Sequence, residues 1–117
     1  AILNFGHTVG HAIETETGYH QFLHGEAVAI GMAVAAQLAH RLKILDKQSV
    51  ARIRTLIADY GLQTDIPAGM DPERLCAHMM IDKKAEAGRV TFVLPERIGS
   101  VRIMKDVDIS VTKRVLG

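Results

Sequence analysis

The sequence predicts a mainly α-helical chain with one small β-hairpin near its C-terminus. Three observations carry that reading. Apolar residues recur at helical spacing through the first two thirds of the chain, and the runs are punctuated by Gly18, Asp46, Gly61 and Asp71. Two β-branched, alternating stretches then follow Gly88. The hydrophobic fraction is 48% but aromatics are only 4% and Trp is absent, so the core rests on Ala, Val, Ile, Leu and Met, a composition suited to helices with close backbones.

Val9, Ala12 and Ile13 give an apolar face to a first helix over Asn4 to about Thr17, with Gly18 as its stop. Gly18 to Leu23 is a short loop. A long helix follows from about Gly25 to Leu42, with Ala27, Ile30, Gly31, Val34 and Leu38 on one small, apolar face that lets another helix approach closely. Asp46 caps a third helix, Lys47 to Tyr60, with Val50, Ile53, Leu56 and Ile57 on one side. Gly61 ends it, and Leu62 to Met70 is a loop. Asp71-Pro72-Glu73 opens a fourth helix running to about Asp82, an N-cap followed by Pro at the first helical position. Arg89–Leu94 and Ser100–Met104 read as hairpin strands joined by Pro95 to Gly99, and the tail from Asp106 as a last short helix. No repeat, low-complexity segment or linker interrupts residues 1–117, which read as one domain.

Charge and composition exclude several functions. The net charge is +1, with Lys and Arg scattered, so neither a nucleic-acid stripe nor a membrane patch is present. The apolar stretch from Ala27 to Ala39 ends at His40 and Arg41, short of the roughly 20 residues of a membrane span. No segment reads as a signal peptide. The single Cys76 rules out an internal disulfide framework and fits a reducing compartment. Ala1-Ile2-Leu3-Asn4 opens without Met directly on the densest motif, so truncation of a longer chain is expected.

That motif is a matter of histidine placement. His7 and His11 are four apart on a predicted helix, so both rings leave one face. His24 opens the next long helix, after a loop able to fold it back. Three imidazoles can therefore converge, and neutral imidazole is a good Zn2+ ligand. The plainer reading is of surface or capping histidines, and spacing alone does not decide. A structural zinc site wants four protein ligands; a catalytic one wants three and an open position. The chain offers two or three, with Glu14 and Glu26 as internal carboxylate candidates. Glu14 lies one turn beyond His11, and Glu26 suits the positive end of its helix or a hydrogen bond to a ligand histidine. Gly6 and Gly10 permit close helix packing, or leave room for substrate. His20 reads as surface or site-lining, His40 and His78 as structural, Cys76 and the Met79-Met80 pair as packing.

Leu3-Asn4-Phe5-Gly6-His7-Thr8-Val9-Gly10-His11-Ala12-Ile13-Glu14 resembles the LNxGHTxGHAIE signature of 3-dehydroquinate synthases, and His24-Gly25-Glu26-Ala27-Val28-Ala29-Ile30-Gly31-Met32 resembles their HGEAVAIGM signature. Asp82-Lys83-Lys84, Gly88 and the hairpin resemble a third region, so the likeness covers nearly the whole chain in order. It implies the helical C-terminal domain of that fold, with His7 and His24 as metal ligands (Zn2+ or Co2+) and His11 as a catalytic residue that contacts substrate. It also implies Asn4 and a lysine, Lys84 rather than Lys83, as substrate-binding residues. The remaining metal ligand, a glutamate, and the NAD-binding domain would belong to a missing N-terminal half. The full enzyme would be a cytoplasmic homodimer acting on a sugar phosphate, and these residues alone would be inactive and expose apolar surface. Another sugar phosphate cyclase, a related polyol dehydrogenase or a non-catalytic helical metal-binding module are the rival readings.

Overall fold

The computed structural model describes residues 6–18, 22–82, 89–97 and 100–117. The elements run α1 (His7–Glu16), α2 (His24–Arg41), α3 (Lys47–Asp59), α4 (Pro72–Asp82), β1 (Arg89–Arg97), β2 (Ser100–Asp108) and α5 (Ile109–Leu116). The mainly helical class and the terminal hairpin are as the sequence predicts.

α2 is the centre of the molecule and touches α1, α3, β1 and α5. The reason lies in its composition. Ala29, Ala33, Ala35, Ala36 and Ala39 are buried in addition to the expected face, so α2 is apolar around most of its girth. Its largest fully buried side chains are Ile30 and Leu38. Each such burial stabilises the fold by about 1.5–3 kcal/mol relative to exposure.

α1 crosses α2 on glycine. A Cβ on Gly31 would overlap the Gly6 carbonyl oxygen and lie 2.8 Å from the Gly10 nitrogen. A Cβ on Gly10 would lie 3.0 Å from the Ala27 carbonyl oxygen. These neighbours are backbone, which cannot swing aside, so packing explains Gly10 and Gly31. Gly6 has a second constraint: its φ is +81°, a left-handed conformation, so the expected helix over Asn4 to about Thr17 does not run through Gly6. The helix begins at His7 instead.

The other starts are legible locally. Asp46 Oδ1 accepts from Ser49 N–H at 2.7 Å, Asp71 Oδ1 from Glu73 N–H at 3.0 Å, and Asp108 Oδ1 from Ser110 N–H at 2.9 Å. α3 corrects one expectation. Ile57 is buried, but Leu56 is 59% exposed. α3 packs chiefly on α2, so Ile53 and Ile57, one turn apart, meet Met32, Ala29 and Ala33, while Leu56 is turned off that line into water.

The hairpin is longer than expected. β1 and β2 pair antiparallel, with Val90 opposite Val107 and Phe92 opposite Met104. Pro95 lies inside β1, opposite Val101, rather than in the joining loop. It sits beside a register shift and in a two-stranded sheet, where its missing N–H is tolerated. Val90, Phe92 and Leu94 alternate inward and are buried.

α1 is fastened to α4 by charge. Glu16 accepts from Arg74 Nε at 2.7 Å and pairs with His78 Nε2 at 3.0 Å. His78 is thus structural, as is His40, whose Nδ1 meets the Leu45 carbonyl at 3.0 Å. Cys76 and Met79 are buried packing residues. Burial pushes the Cys76 thiol up. Among the described residues no helix is long and apolar enough to cross a membrane.

Two outcomes follow. Gly31→Ala forces backbones apart and is expected to cost about 3 kcal/mol, at the upper end of overpacking effects. Gly25→Ala, with nothing within 4 Å of the added carbon, should stay within about 1 kcal/mol of the parent. Urea midpoints of the two variants measure the contrast. The His78 hydrogen bond, then Arg74, holds the Glu16 carboxyl below its usual range. A depressed carboxyl stabilises the fold above its unfolded pKa of about 4.3, and that contribution is lost as pH falls through the lower folded value. Asp46, bonded by Ser49, and Glu96, bonded by Ser100 and Arg102, are depressed too. Glu16→Gln should therefore flatten part of the acid limb of a stability–pH profile and leave the profile near neutrality parallel to the parent's.

Candidate metal centre

Two helix starts build the site. Gly6 turns the chain so that His7 is the first residue of α1, and Gly10 N–H closes the turn on the Gly6 carbonyl at 3.0 Å. Leu23, in extended backbone, precedes His24 at the first position of α2. The glycine crossing then brings the two starts together. The His7 and His24 rings lie with centres 5.3 Å apart and planes at 62°, edge to face.

That geometry fits a shared divalent cation. A ring nitrogen at about 2.0–2.1 Å from Zn2+ puts the ring centre about 3.2 Å from the ion, so two imidazoles at a tetrahedral angle have centres roughly 5.2 Å apart. Edge-to-face packing alone spans about 4.5–7 Å. The distance therefore admits a metal, and the donor types are those a zinc-like ion takes.

His24 is fixed from behind. Its Nδ1 lies 3.0 Å from Glu14 Oε1, with the Glu14 side chain 11% exposed and the His24 side chain 63% exposed. With Nδ1 engaged, Nε2 is the ring nitrogen left for a ligand. The two internal carboxylate candidates, Glu14 and Glu26, are both engaged with other partners. Glu14 does not make a ligand face with His7 and His11; it lies on the buried side of α1, where α2 crosses and delivers His24. Glu26 is not the carboxylate beside a ligand histidine; its Oε1 accepts from Leu23 N–H at 2.7 Å and closes the start of α2. Glu26 does stand at the positive helix end, as expected. The sequence carries no signal that chooses Glu14 over Glu26, because the choice depends on how α1 crosses α2.

His11 is exposed on α1, one turn from His7 and outside the ring pair. The structure thus brings two of the three histidines together, with the third on the same open edge. Among the described residues, no group of three or more His, Cys, Asp and Glu side chains gathers in a way that could hold a metal ion. Asn4, His20, Lys83 and Lys84 lie outside the described residues. A cavity of about 240 Å³ lined by Arg54, Thr64 and Asp65 lies away from these rings, and residue chemistry is what locates the candidate site.

Comparisons with known proteins agree with the motif reading. Residues 1–85 match the family model described as 3-dehydroquinate synthase C-terminal. A 3-dehydroquinate synthase of Desulforamulus reducens is 52% identical over 107 residues, covering 92% of this chain and 30% of that protein. One from Nostoc punctiforme is 47% identical over 116 residues, covering 99% and 32%. The chain therefore spans about a third of the length of the curated relatives it matches. Among solved structures, 2-deoxy-scyllo-inosose synthase complexed with carbaglucose-6-phosphate, NAD+ and Co2+ superposes with a TM-score of 0.85 at 28% identity, covering 98% of this chain and 32% of that one. The 2-epi-5-epi-valiolone synthase of Streptomyces hygroscopicus subsp. jinggangensis, with NAD+ and Zn2+ bound, superposes with a TM-score of 0.84 at 26% identity, covering 99% and 32%. With most of its length under that family model and half of its residues shared with such a relative, the chain belongs to the 3-dehydroquinate synthase C-terminal family.

Proposed function

We propose that residues 1–117 are the metal- and substrate-binding helical domain of a 3-dehydroquinate synthase. The whole enzyme would convert 3-deoxy-D-arabino-heptulosonate 7-phosphate to 3-dehydroquinate and phosphate, a lyase step of the shikimate pathway to aromatic amino acids. The observation that carries this is the meeting of His7 and His24, each from one of the two signature segments, with ring centres 5.3 Å apart. Relatives named for this activity and cyclase structures holding NAD+ with Co2+ or Zn2+ support it.

In this reading His7 and His24 hold a divalent cation, Zn2+ or Co2+. When bound, the cation supplies Lewis acidity that polarises a substrate hydroxyl or ketone oxygen. The chain's own residues do the rest of the positioning. His11, exposed one turn along α1, hydrogen-bonds substrate oxygens or carries a proton between them. Asn4 both donates to and accepts from a hydroxyl. Lys84, or Lys83 beside it, pairs as a point charge with a carboxylate or phosphate. No G-x-G-x-x-G occurs in the chain, so NAD and the remaining metal ligand are assigned to an N-terminal domain outside these residues. The assembled enzyme is read as a cytoplasmic homodimer.

A second reading has a specific observation behind it. The superposed structures are a 2-deoxy-scyllo-inosose synthase holding carbaglucose-6-phosphate and a 2-epi-5-epi-valiolone synthase, so the same helical frame occurs in other cyclases. Lys83-Lys84 after Asp82 favours a carboxylate-bearing substrate and so favours dehydroquinate synthesis. Relative turnover of the keto-acid phosphate and of neutral sugar phosphates by the assembled enzyme separates the two.

Calorimetry of the purified chain with Co2+ or Zn2+ tests the metal assignment. One ion per chain is expected. Losing a partner behind a ligand typically costs 10–100-fold, so losing a ligand through His7→Ala or His24→Ala should weaken binding by about 100-fold or more. Equal affinity in parent and variants would sink the assignment. The chain alone should release no phosphate in the presence of NAD+, and release should appear once an N-terminal half is added. Turnover by the chain alone would contradict the division of labour proposed here.

A further inference from the structure

We propose that Glu14 is a positioning residue for this centre: its carboxylate holds His24 in the Nδ1–H tautomer, so that Nε2 carries the lone pair offered to the metal. The inference rests on the reading of His7 and His24 as ligands. Glu14 is nearly buried, and a carboxylate withdrawn from water is costly unless it is hydrogen-bonded. His24 Nδ1, at 3.0 Å, is the side-chain partner that answers it. An ionised carboxylate only accepts, and a neutral imidazole has one N–H and one lone pair. A neutral ring in this pair places its proton on Nδ1, toward Glu14 Oε1, and leaves the lone pair on Nε2.

The ring needs such a hold. The His24 side chain is 63% exposed, so core packing does not fix its rotamer. Its described contacts are the Glu14 bond and the edge of His7. Glu26, the carboxylate nearer in sequence, is occupied by the Leu23 N–H at 2.7 Å. Glu14 comes from the other helix, so the same bond also locks the α1–α2 register at the site. A negative charge behind a ligand imidazole also raises the basicity of the ligating nitrogen. A merely structural Glu14 would affect stability and leave the tautomer alone.

The test is a long-range proton–nitrogen NMR spectrum of the metal-free, nitrogen-15-labelled chain at about pH 8, above the ordinary imidazole range, followed by Co2+ titration. The parent should show His24 with its proton on Nδ1. Glu14→Ala should populate the Nε2–H form and weaken Co2+ binding by about 10–100-fold. Glu14→Gln, close in shape and still able to accept, should keep the tautomer and lose less affinity. An Nε2–H tautomer in the parent, or a tautomer and an affinity unchanged in Glu14→Ala, would overturn the proposal. Should the alanine variant not fold, the parent tautomer and the glutamine affinity decide: Nδ1–H with a measurable loss supports it, and parental affinity overturns it. The two readings fail separately. If His7→Ala and His24→Ala weaken Co2+ binding and Glu14→Ala does not, positioning fails alone. If none of the three weakens it, the metal reading fails, and the tautomer still reports whether Glu14 governs His24.

Discussion

The site depends on how closely two backbones can approach. α1 and α2 meet where Gly6, Gly10 and Gly31 interleave, with no room for a Cβ on Gly31 against the Gly6 carbonyl and the Gly10 nitrogen. Side chains at such a crossing would separate the helix axes by ångströms. The His7–His24 spacing, and the reach of Glu14 to His24, would open by the same amount. Hydrogen bonds and metal ligation lose their strength over far smaller displacements. Packing and chemistry are therefore one constraint here: the glycines within the signature segments stabilise the crossing, and the crossing sets the donor geometry.

Charge then fixes α1 in its groove. Its last turns carry two carboxylates with little exposure, Glu14 and Glu16, and each meets an imidazole from a different helix, His24 of α2 and His78 of α4. Arg74 adds a second bond to Glu16. The two pairs differ in what they leave open. His78 is mostly covered and serves to join α1 to α4. His24 is mostly exposed, so its second nitrogen remains available. One device, a largely covered carboxylate holding a histidine, is thus used once between α1 and α4 and once at the exposed edge beside His7.

Much of this was legible in the sequence, and the misses have a common cause. Helix starts governed by local chemistry, at Asp46 and Asp71, fall where the sequence places them, because a cap is decided by neighbours two or three residues away. The hairpin's existence was legible for the same reason, but its length was not: whether Pro95 joins a strand depends on a register shift set by the partner strand. Leu56 fits the apolar stripe of α3 and is nonetheless exposed, since periodicity reports which residues share a side and not how much of that side a neighbour covers. The site follows the same rule. His7 and His24 could be named from their motifs. The carboxylate behind His24 could not be assigned, because choosing Glu14 over Glu26 requires knowing which helix lies across which.

Electrostatics at the site argue for what must complete it. His7 and His24 are both first residues of helices, so the positive poles of α1 and α2 face the place where a divalent cation would sit. Two neutral imidazoles offset none of that charge. Glu26 lies in the first turn of α2, but its oxygen is engaged by the Leu23 N–H. Glu14 contributes one negative charge, at one remove, behind His24. A third neutral ligand would leave the ion facing two positive helix ends with a single indirect counter-charge. A carboxylate ligand would oppose both helix poles and cation directly, so an acidic residue is the physically favoured completion of this edge. The glutamate that the motif resemblance places outside these residues has that charge.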